Sequence, residues 1–426
     1  MKSRWYSSAW MKAGAVLGLV ALVVIVSAVI YIKSLGIPKD ASYVGSNECQ
    51  TCHGDEHQGW HDSAHPKMMR RVDEPGAVVA DLSTEGEDAA PFDPERAVWV
   101  IGSKWEQQFM GEENGEETLL PGSWLIGEKR WQRTGWDGWQ VPQPLVRCHG
   151  CHTVGLNVET GNFVEPSVGC ESCHGPGSWH VSTRGIGEIY SSLDAQVCGQ
   201  CHTRGRSTNG KHFFPVDYRP GEPLVDYYNE LLPSKGQNTS QWWGNGHAKK
   251  RHQEYYAWNQ GKHANSLQSL KEGYDGRYGE VTSKCLSCHA GDAAVDDFSE
   301  HYKLDEVSQG VTCAVCHNSH GKLDKPRMAC KNCHGEGASY HRPEINDKHI
   351  PCPSEAEVTC VDCHMPLTGK NGGAYTLHSH GQRVIPPEDT EKYKVPNSCA
   401  NGGCHSDRDV EWVQGRYEDA YLYGTQ

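Results

Sequence analysis

The sequence predicts a mostly helical and irregular fold, with a small β insertion and one N-terminal transmembrane helix. Three observations predict it. One short cysteine–histidine pattern recurs along most of the chain. Large apolar side chains are too few for an ordinary core, and one unbroken apolar run stands near the start.

The recurring pattern is two cysteines three apart with a histidine directly after the second. It occurs at Cys49/Cys52/His53, Cys148/Cys151/His152, Cys170/Cys173/His174, Cys198/Cys201/His202, Cys285/Cys288/His289, Cys313/Cys316/His317, Cys330/Cys333/His334 and Cys360/Cys363/His364. A ninth copy, CANGGCH, is wider: Cys399, Cys404 and His405. The spacing suits covalent haem c, in which two thiols form thioethers to the porphyrin and the adjacent imidazole turns in to the iron. Zinc ribbons and disulfide frameworks also use paired cysteines, but neither requires the following histidine. With histidine at 24 of 426 positions, eight chance matches have odds of roughly 10⁻¹⁰ on the attachment spacing. The nine sites use 18 of the 19 cysteines and leave Cys352.

Composition agrees. Only 6 phenylalanines occur, and the mean hydropathy is −0.66. Nine porphyrin faces would supply the missing apolar surface, which implies haem packed on haem with chain wrapped around it. Such a protein does not fold without its cofactor. The formal charge of −14 argues against a nucleic-acid partner and fits steering toward a basic redox partner.

Taken in order, residues 1–12 carry Lys2, Arg4 and Lys12 and are expected in the cytoplasm. Residues 13–32 are apolar throughout and long enough to span a bilayer, longer than the core of a usual signal peptide. Residues 33–42 form a linker, and 43–426 an extracytoplasmic multihaem domain, because haem attachment to this motif occurs outside the cytoplasmic membrane. The expected location is therefore the cytoplasmic membrane, single-pass, with most of the chain on the periplasmic side. After the first motif come His57, His61 and His65, four apart, near one face if helical. Residues 76–147 hold a haem-free, β-rich insertion: AVWVIGSKWEQQFM and TLLPGSWLIGEKRWQ flank Glu113-Asn114-Gly115, a hairpin signal. The four tryptophans of these two runs, Trp99, Trp105, Trp124 and Trp131, are expected against a haem face. FFPVDYRPGEPL reads as extended, and His247 to Gly261 as helical. The acidic, aromatic tail after His405 reads as a cap on the last site.

Fifteen histidines remain beside the nine proximal ones, enough for bis-histidine ligation at all nine irons. His320 follows His317 by three residues and cannot reach round the same porphyrin, so as a ligand it serves a neighbouring haem. The same holds for His180 after His174. Cross-ligation of that kind ties consecutive haems together. Met68 and Met69 are candidate ligands for the first haem, and methionine ligation would raise its potential.

The motifs resemble those of the multihaem c-type cytochromes of the hydroxylamine-oxidoreductase and cytochrome-c-554-like superfamily, often called octahaem-like. YVGSNECQTCH with SAH at 63–65, WVIGS at 99–103, VGCESCHGPGSWHV at 168–181, VCGQCHTRGRS at 197–207, GVTCAVCHNSHG at 310–321, VTCVDCHMP at 358–366, and HSHGQRVIPP running to VPNSCANGGCH carry the likeness. It implies a mostly α and irregular multihaem cytochrome c fold. By resemblance, His65, His180, His320 and His380 match distal ligand positions; His263 is a further candidate ligand. The wide ninth motif and the N-terminal helix depart from the pattern. No CxxCK site is present, so the lysine-ligated haem of pentahaem nitrite reductases is not indicated.

Two functions remain open on these grounds. One is a membrane-anchored electron carrier between a membrane redox complex or quinol-oxidising subunit and an extracytoplasmic acceptor or donor, with no catalytic residue. The other is an oxidoreductase acting on a small nitrogen or sulfur compound, such as nitrite, hydroxylamine or tetrathionate, at one open haem.

Overall fold

The computed structural model describes residues 3–83, 85–86, 89–113, 115–132, 144–231, 239–273, 280–321, 330–334, 352, 358–371, 374–400 and 403–423. Ser3–Ser34 is one helix, α1. The most apolar stretch of its Lys12–Ser34 part has a mean hydropathy of 2.9, and none of that stretch is buried against the chain. Gly36, at φ +61, ends it in the left-handed conformation that glycine adopts freely. A bare apolar helix of this length fits a membrane anchor or a signal peptide.

Between α1 and the C-terminal helix Val410–Tyr423 the described helices are short, and many sit on the motifs. α2 (Asn47–Gln50) and α3 (Gly54–Asp62) flank His53. Single turns or little more cover His149–His152, Cys170–His174, Gln196–His202, Ser283–His289, Cys313–Cys316, Lys331–His334 and Cys360–His364. The turn has a local cause: the histidine N–H donates to the first cysteine's carbonyl, at 2.9 Å for His53, 3.1 Å for His152 and 2.8 Å for His317. Positions i, i+3 and i+4 of such a turn share one face, so both thiols and the imidazole emerge together. At Cys360 a capping box of Thr359 and Asp362 starts the turn.

The insertion is a six-stranded antiparallel sheet: β1 (Met69–Arg71), β2 (Ala97–Ile101), β3 (Glu106–Glu113), β4 (Glu116–Leu119), β5 (Ser123–Leu125) and β6 (Arg130–Gln132). β1 lies ahead of the expected start at residue 76. The register Glu113↔Glu116 places the expected hairpin at 114–115, with Gly115 at φ +80; Asn114 lies outside the described residues. Alternation along β3 sends neighbouring side chains to opposite faces. Phe109 joins Phe92, Leu120, Trp124 and Trp131 in an outer core. Met110 joins Met69, Ile101 and Leu119 in an inner one that touches Trp99, Cys148 and Phe163. The sheet thus covers the second motif with one face and closes its own core with the other.

This corrects several expectations. Trp124 and Trp131 pack edge-on against each other inside the sheet, 5.6 Å between ring centres, rather than against a haem face. Trp105 is 45% exposed. Met69 is fully buried in the inner core and fills it as an apolar side chain, not as a ligand. Two-stranded ladders also occur outside the insertion, at Thr153–Val154 with Glu165–Pro166, Gly205–Ser207 with Tyr228–Leu231, and Leu367–Asn371 with Ala374–His378. The helix expected over His247–Gly261 shortens to Glu254–Asn259, because His252 takes φ +60 and Ala248 bridges Trp242. Residues 213–223 carry no helix or strand, as FFPVDYRPGEPL suggested.

Gln107 fixes the loop that closes the outer core. Its buried amide accepts from the Val79 and Ala80 N–H groups and donates to the Ala77 and Gly102 carbonyls. Gln107→Leu orphans these four groups. Each buried unpaired group costs about 1–3 kcal/mol, so amide-exchange protection at Val79 and Ala80 should collapse while the motif helices keep theirs.

Candidate haem sites

None of the nineteen cysteines is in a disulfide. Free cysteine is normally among the most buried of residues, yet none of the eighteen motif cysteines is closed off from solvent, and Cys52, Cys316, Cys330 and Cys404 are exposed. Several nevertheless sit deep in the fold: burial pushes the Cys148 and Cys173 thiols up to about 12. These interior cysteines are thus only partly covered by the chain, as expected where a large flat group is to be bonded.

The histidines give a sharper test. The ring centres of His53 and His180 are 6.3 Å apart, His174 and His320 6.0 Å, His263 and His334 6.0 Å, and His317 and His380 6.1 Å. An imidazole nitrogen binds a first-row metal at about 2 Å with its ring centre roughly 1 Å behind, so two imidazoles facing across one metal have centres about 6 Å apart. Each of these four pairs joins a motif histidine to one from outside the motifs. His180 and His320 meet histidines of other motifs, as their short reach from His174 and His317 required. His65 does not continue α3, because Ser63 turns extended; it sits in the turn His65–Lys67. Burial and the neighbouring His202 hold its imidazole down to about 4.

Second hydrogen bonds orient these rings. Nδ1 of His174 donates to the Tyr190 carbonyl at 2.8 Å, that of His180 to Gly187 at 2.7 Å and that of His380 to His378 at 3.2 Å. A carbonyl only accepts, so the proton is on Nδ1 and the Nε2 lone pair is left for a metal. His252 shows the same arrangement, donating to the Cys201 carbonyl at 2.9 Å. The sequence did not single it out, because nothing near it in the chain marks the bond.

The motifs also lie side by side. The thiol of Cys49 neighbours Cys170, Cys173 neighbours Cys198 and Cys151 neighbours Cys201. Cys198 meets Cys313, and Cys316 interacts with Cys330. Cys288 meets Cys333, Cys330 interacts with Cys360, and Cys363 with Cys399 and Cys404. Every motif belongs to one connected set. Cys352, half-buried, stands beside Cys404 in that last group. Trp412 of the C-terminal helix lies over His405, 4.8 Å between ring centres, in keeping with the expected cap.

A model of the family "Cytochrome c554 and c-prime" matches residues 131–175 and 239–318. Cytochrome c-554 of Nitrosomonas europaea is 25% identical over 144 residues, 32% of this chain and 40% of that protein. Among solved structures, the outer cell wall cytochrome OcwA is similar over 88% of this chain and 86% of its own, with a TM-score of 0.76 and 28% identity. The undecahaem cytochrome from the S-layer of Carboxydothermus ferrireducens matches over 89% of this chain and 56% of its own, with a TM-score of 0.52 and 21% identity, a likeness of fold. In its motifs, in the residues the family model matches and in its fold, the chain is similar to multihaem c-type cytochromes. The match to cytochrome c-554 spans less than half of that relative's length.

Carboxylates hold neighbouring motifs together. Glu171, inside the third motif and 1% exposed, accepts from the backbone N–H groups of Val44, Gly45 and Gly177. Burial raises its pKa against those bonds. Glu165 accepts from Ser46, whose hydroxyl in turn accepts from the Cys170 N–H. These bonds clamp the segment entering the first motif onto the third. Glu117 of β4 pairs with the buried His149 inside the second motif.

Away from the motif rings, His247 is buried, bonded through Nδ1 to Ser379 Oγ at 2.8 Å and accepting at Nε2 from Arg383 at 3.1 Å. Burial, then Arg383, lowers its pKa from 6.5 to about 3. The native state therefore resists a proton that the unfolded chain binds below 6.5. Its contribution is complete above that pH and is lost as pH falls toward 3. Acid unfolding of His247→Gln should show a shallower loss of stability across this window, by up to about 1.4 kcal/mol per pH unit for one proton.

Proposed function

We propose that this protein is a membrane-anchored nonahaem cytochrome that relays electrons between a membrane redox partner and an extracytoplasmic acceptor. The observation that carries this reading is the connected set of thiols, which joins all nine motifs with no isolated member. Haem c, once attached, supplies a one-electron ferric–ferrous couple at each site. The chain's residues supply spacing and potential. The cysteine pairs fix each porphyrin edge beside the next. The opposed pairs His53–His180, His174–His320, His334–His263 and His317–His380, with His65 set toward His202, provide two imidazoles per iron, a ligand set that keeps potentials lower than methionine would. His180 and His320 follow the third and sixth motifs closely yet face His53 and His174, so ligation itself cross-links the array. Helix α1 supplies the anchor, with Lys2, Arg4 and Lys12 on its cytoplasmic side.

Electron paramagnetic resonance of the oxidised protein, together with turnover assays, tests this reading. A relay shows low-spin iron throughout and no turnover of nitrite, hydroxylamine or tetrathionate. A high-spin iron with turnover of any of these would assign an enzyme instead.

A further inference from the structure

We infer that Glu254 lowers the redox potential of the fourth site by presenting a carboxylate to the far nitrogen of its iron-side histidine, His202. Nδ1 of His202 lies 3.4 Å from Glu254 Oε2. An imidazole bound to metal through Nε2 has only that Nδ1–H to donate. At the third site the equivalent proton goes to a neutral acceptor, the Tyr190 carbonyl. At the fourth it goes to a charge.

The surrounding chain is built to hold the carboxylate there. Its other oxygen, Oε1, accepts from the His252 backbone N–H at 3.2 Å. His252 reaches this position with φ +60, costly for a residue with a Cβ. The His252 imidazole meanwhile donates to the Cys201 carbonyl. Residues 252–254 therefore grip the fourth motif twice, at its backbone and at its imidazole, while Gln253 between them is fully buried. The nearby guanidinium of Arg251 is engaged by Glu106. Arg204 runs alongside, its Nε on the Arg251 carbonyl at 3.4 Å, and tempers the carboxylate's field without contacting it.

An anion bonded to the ligand's N–H makes the imidazole a stronger donor and favours the more cationic ferric iron. Both effects push the potential down. The fourth site adjoins the second, third and sixth through Cys201, Cys198 and Cys313. The residue thus acts at a junction of the array, where three other motifs meet one. It is a positioning and tuning residue, not a catalytic one.

The inference rests on haem attachment at Cys198, Cys201 and His202. The test is a spectroelectrochemical titration of the full-length haem-loaded protein and of Glu254→Gln, which keeps the shape and loses the charge. One couple should move upward by at least a tenfold change in its one-electron equilibrium constant, about 59 mV. Glu254→Asp keeps the charge but draws it back, so it should move the same couple by less. Unmoved potentials in Glu254→Gln at full haem content overturn the inference, as does an Asp variant that shifts as far as Gln. If Glu254→Gln fails to fold, the Asp variant decides: a small upward shift of one couple supports the role, and no shift overturns it. Haem attachment fails separately, if a Cys198→Ser/Cys201→Ser protein keeps its full haem content.

Discussion

Replacing Cys198 and Cys201 together by serine should remove one haem and divide the array. The fourth motif is the junction at which the second and third meet the sixth. Without it, the thiol contacts leave three separate groups: the first with the third, the second alone, and the fifth to ninth together. In the native protein, electrons from a pulsed reductant should redistribute among the haems in one unresolved phase. In the variant, a slower phase should separate. The haem count should fall by one per chain, and thermal stability should fall with it, since the second, third and sixth sites lose a common packing surface. Rapid-mixing absorbance across the Soret band measures the phases. A variant that equilibrates in one phase, with one haem fewer, would show that the thiol contacts do not mark the electron path.

His320→Ala should convert one iron, and only one, from low-spin to high-spin. His320 stands 6.0 Å from His174, ring centre to ring centre and nearly parallel at 10°. Its backbone is set by close packing: a Cβ on Gly59 of α3 would lie 1.9 Å from the His320 carbonyl oxygen. Gly59→Ala should therefore disturb the same iron without touching either imidazole. His301→Ala is the control. That side chain is 74% exposed beside Asp296, and its loss should leave every iron low-spin. Spin quantification by paramagnetic resonance decides among these. If His320→Ala leaves all irons low-spin, the opposed pair is not an axial pair.

What the sequence made legible was local. A CxxCH turn is one hydrogen-bonded loop of chain, so its residues place themselves. The reach argument for His180 and His320 also needed only chain length, and both stand opposite histidines of other motifs. The insertion was readable from its β-formers and Asn-Gly turn, but its outer core was not. Phe92, Phe109 and Trp131 meet only when the sheet folds, and no local pattern separates a tryptophan facing another from one facing a porphyrin. His252 and Glu254 were illegible for the same reason: their partners, Cys201 and His202, lie about fifty residues earlier in the chain. The Cys-poor stretch between them carries no signature of the contact.

The central claim is that nine porphyrins are bonded to this polypeptide. Pyridine haemochrome absorbance set against polypeptide concentration, on protein made in a haem-attaching host, tests it most directly. Nine haems per chain is the expected result, with Cys399 and Cys404 holding one despite their wider spacing. A value of eight would remove the ninth site, and a colourless or zinc-bearing protein would contradict the account altogether.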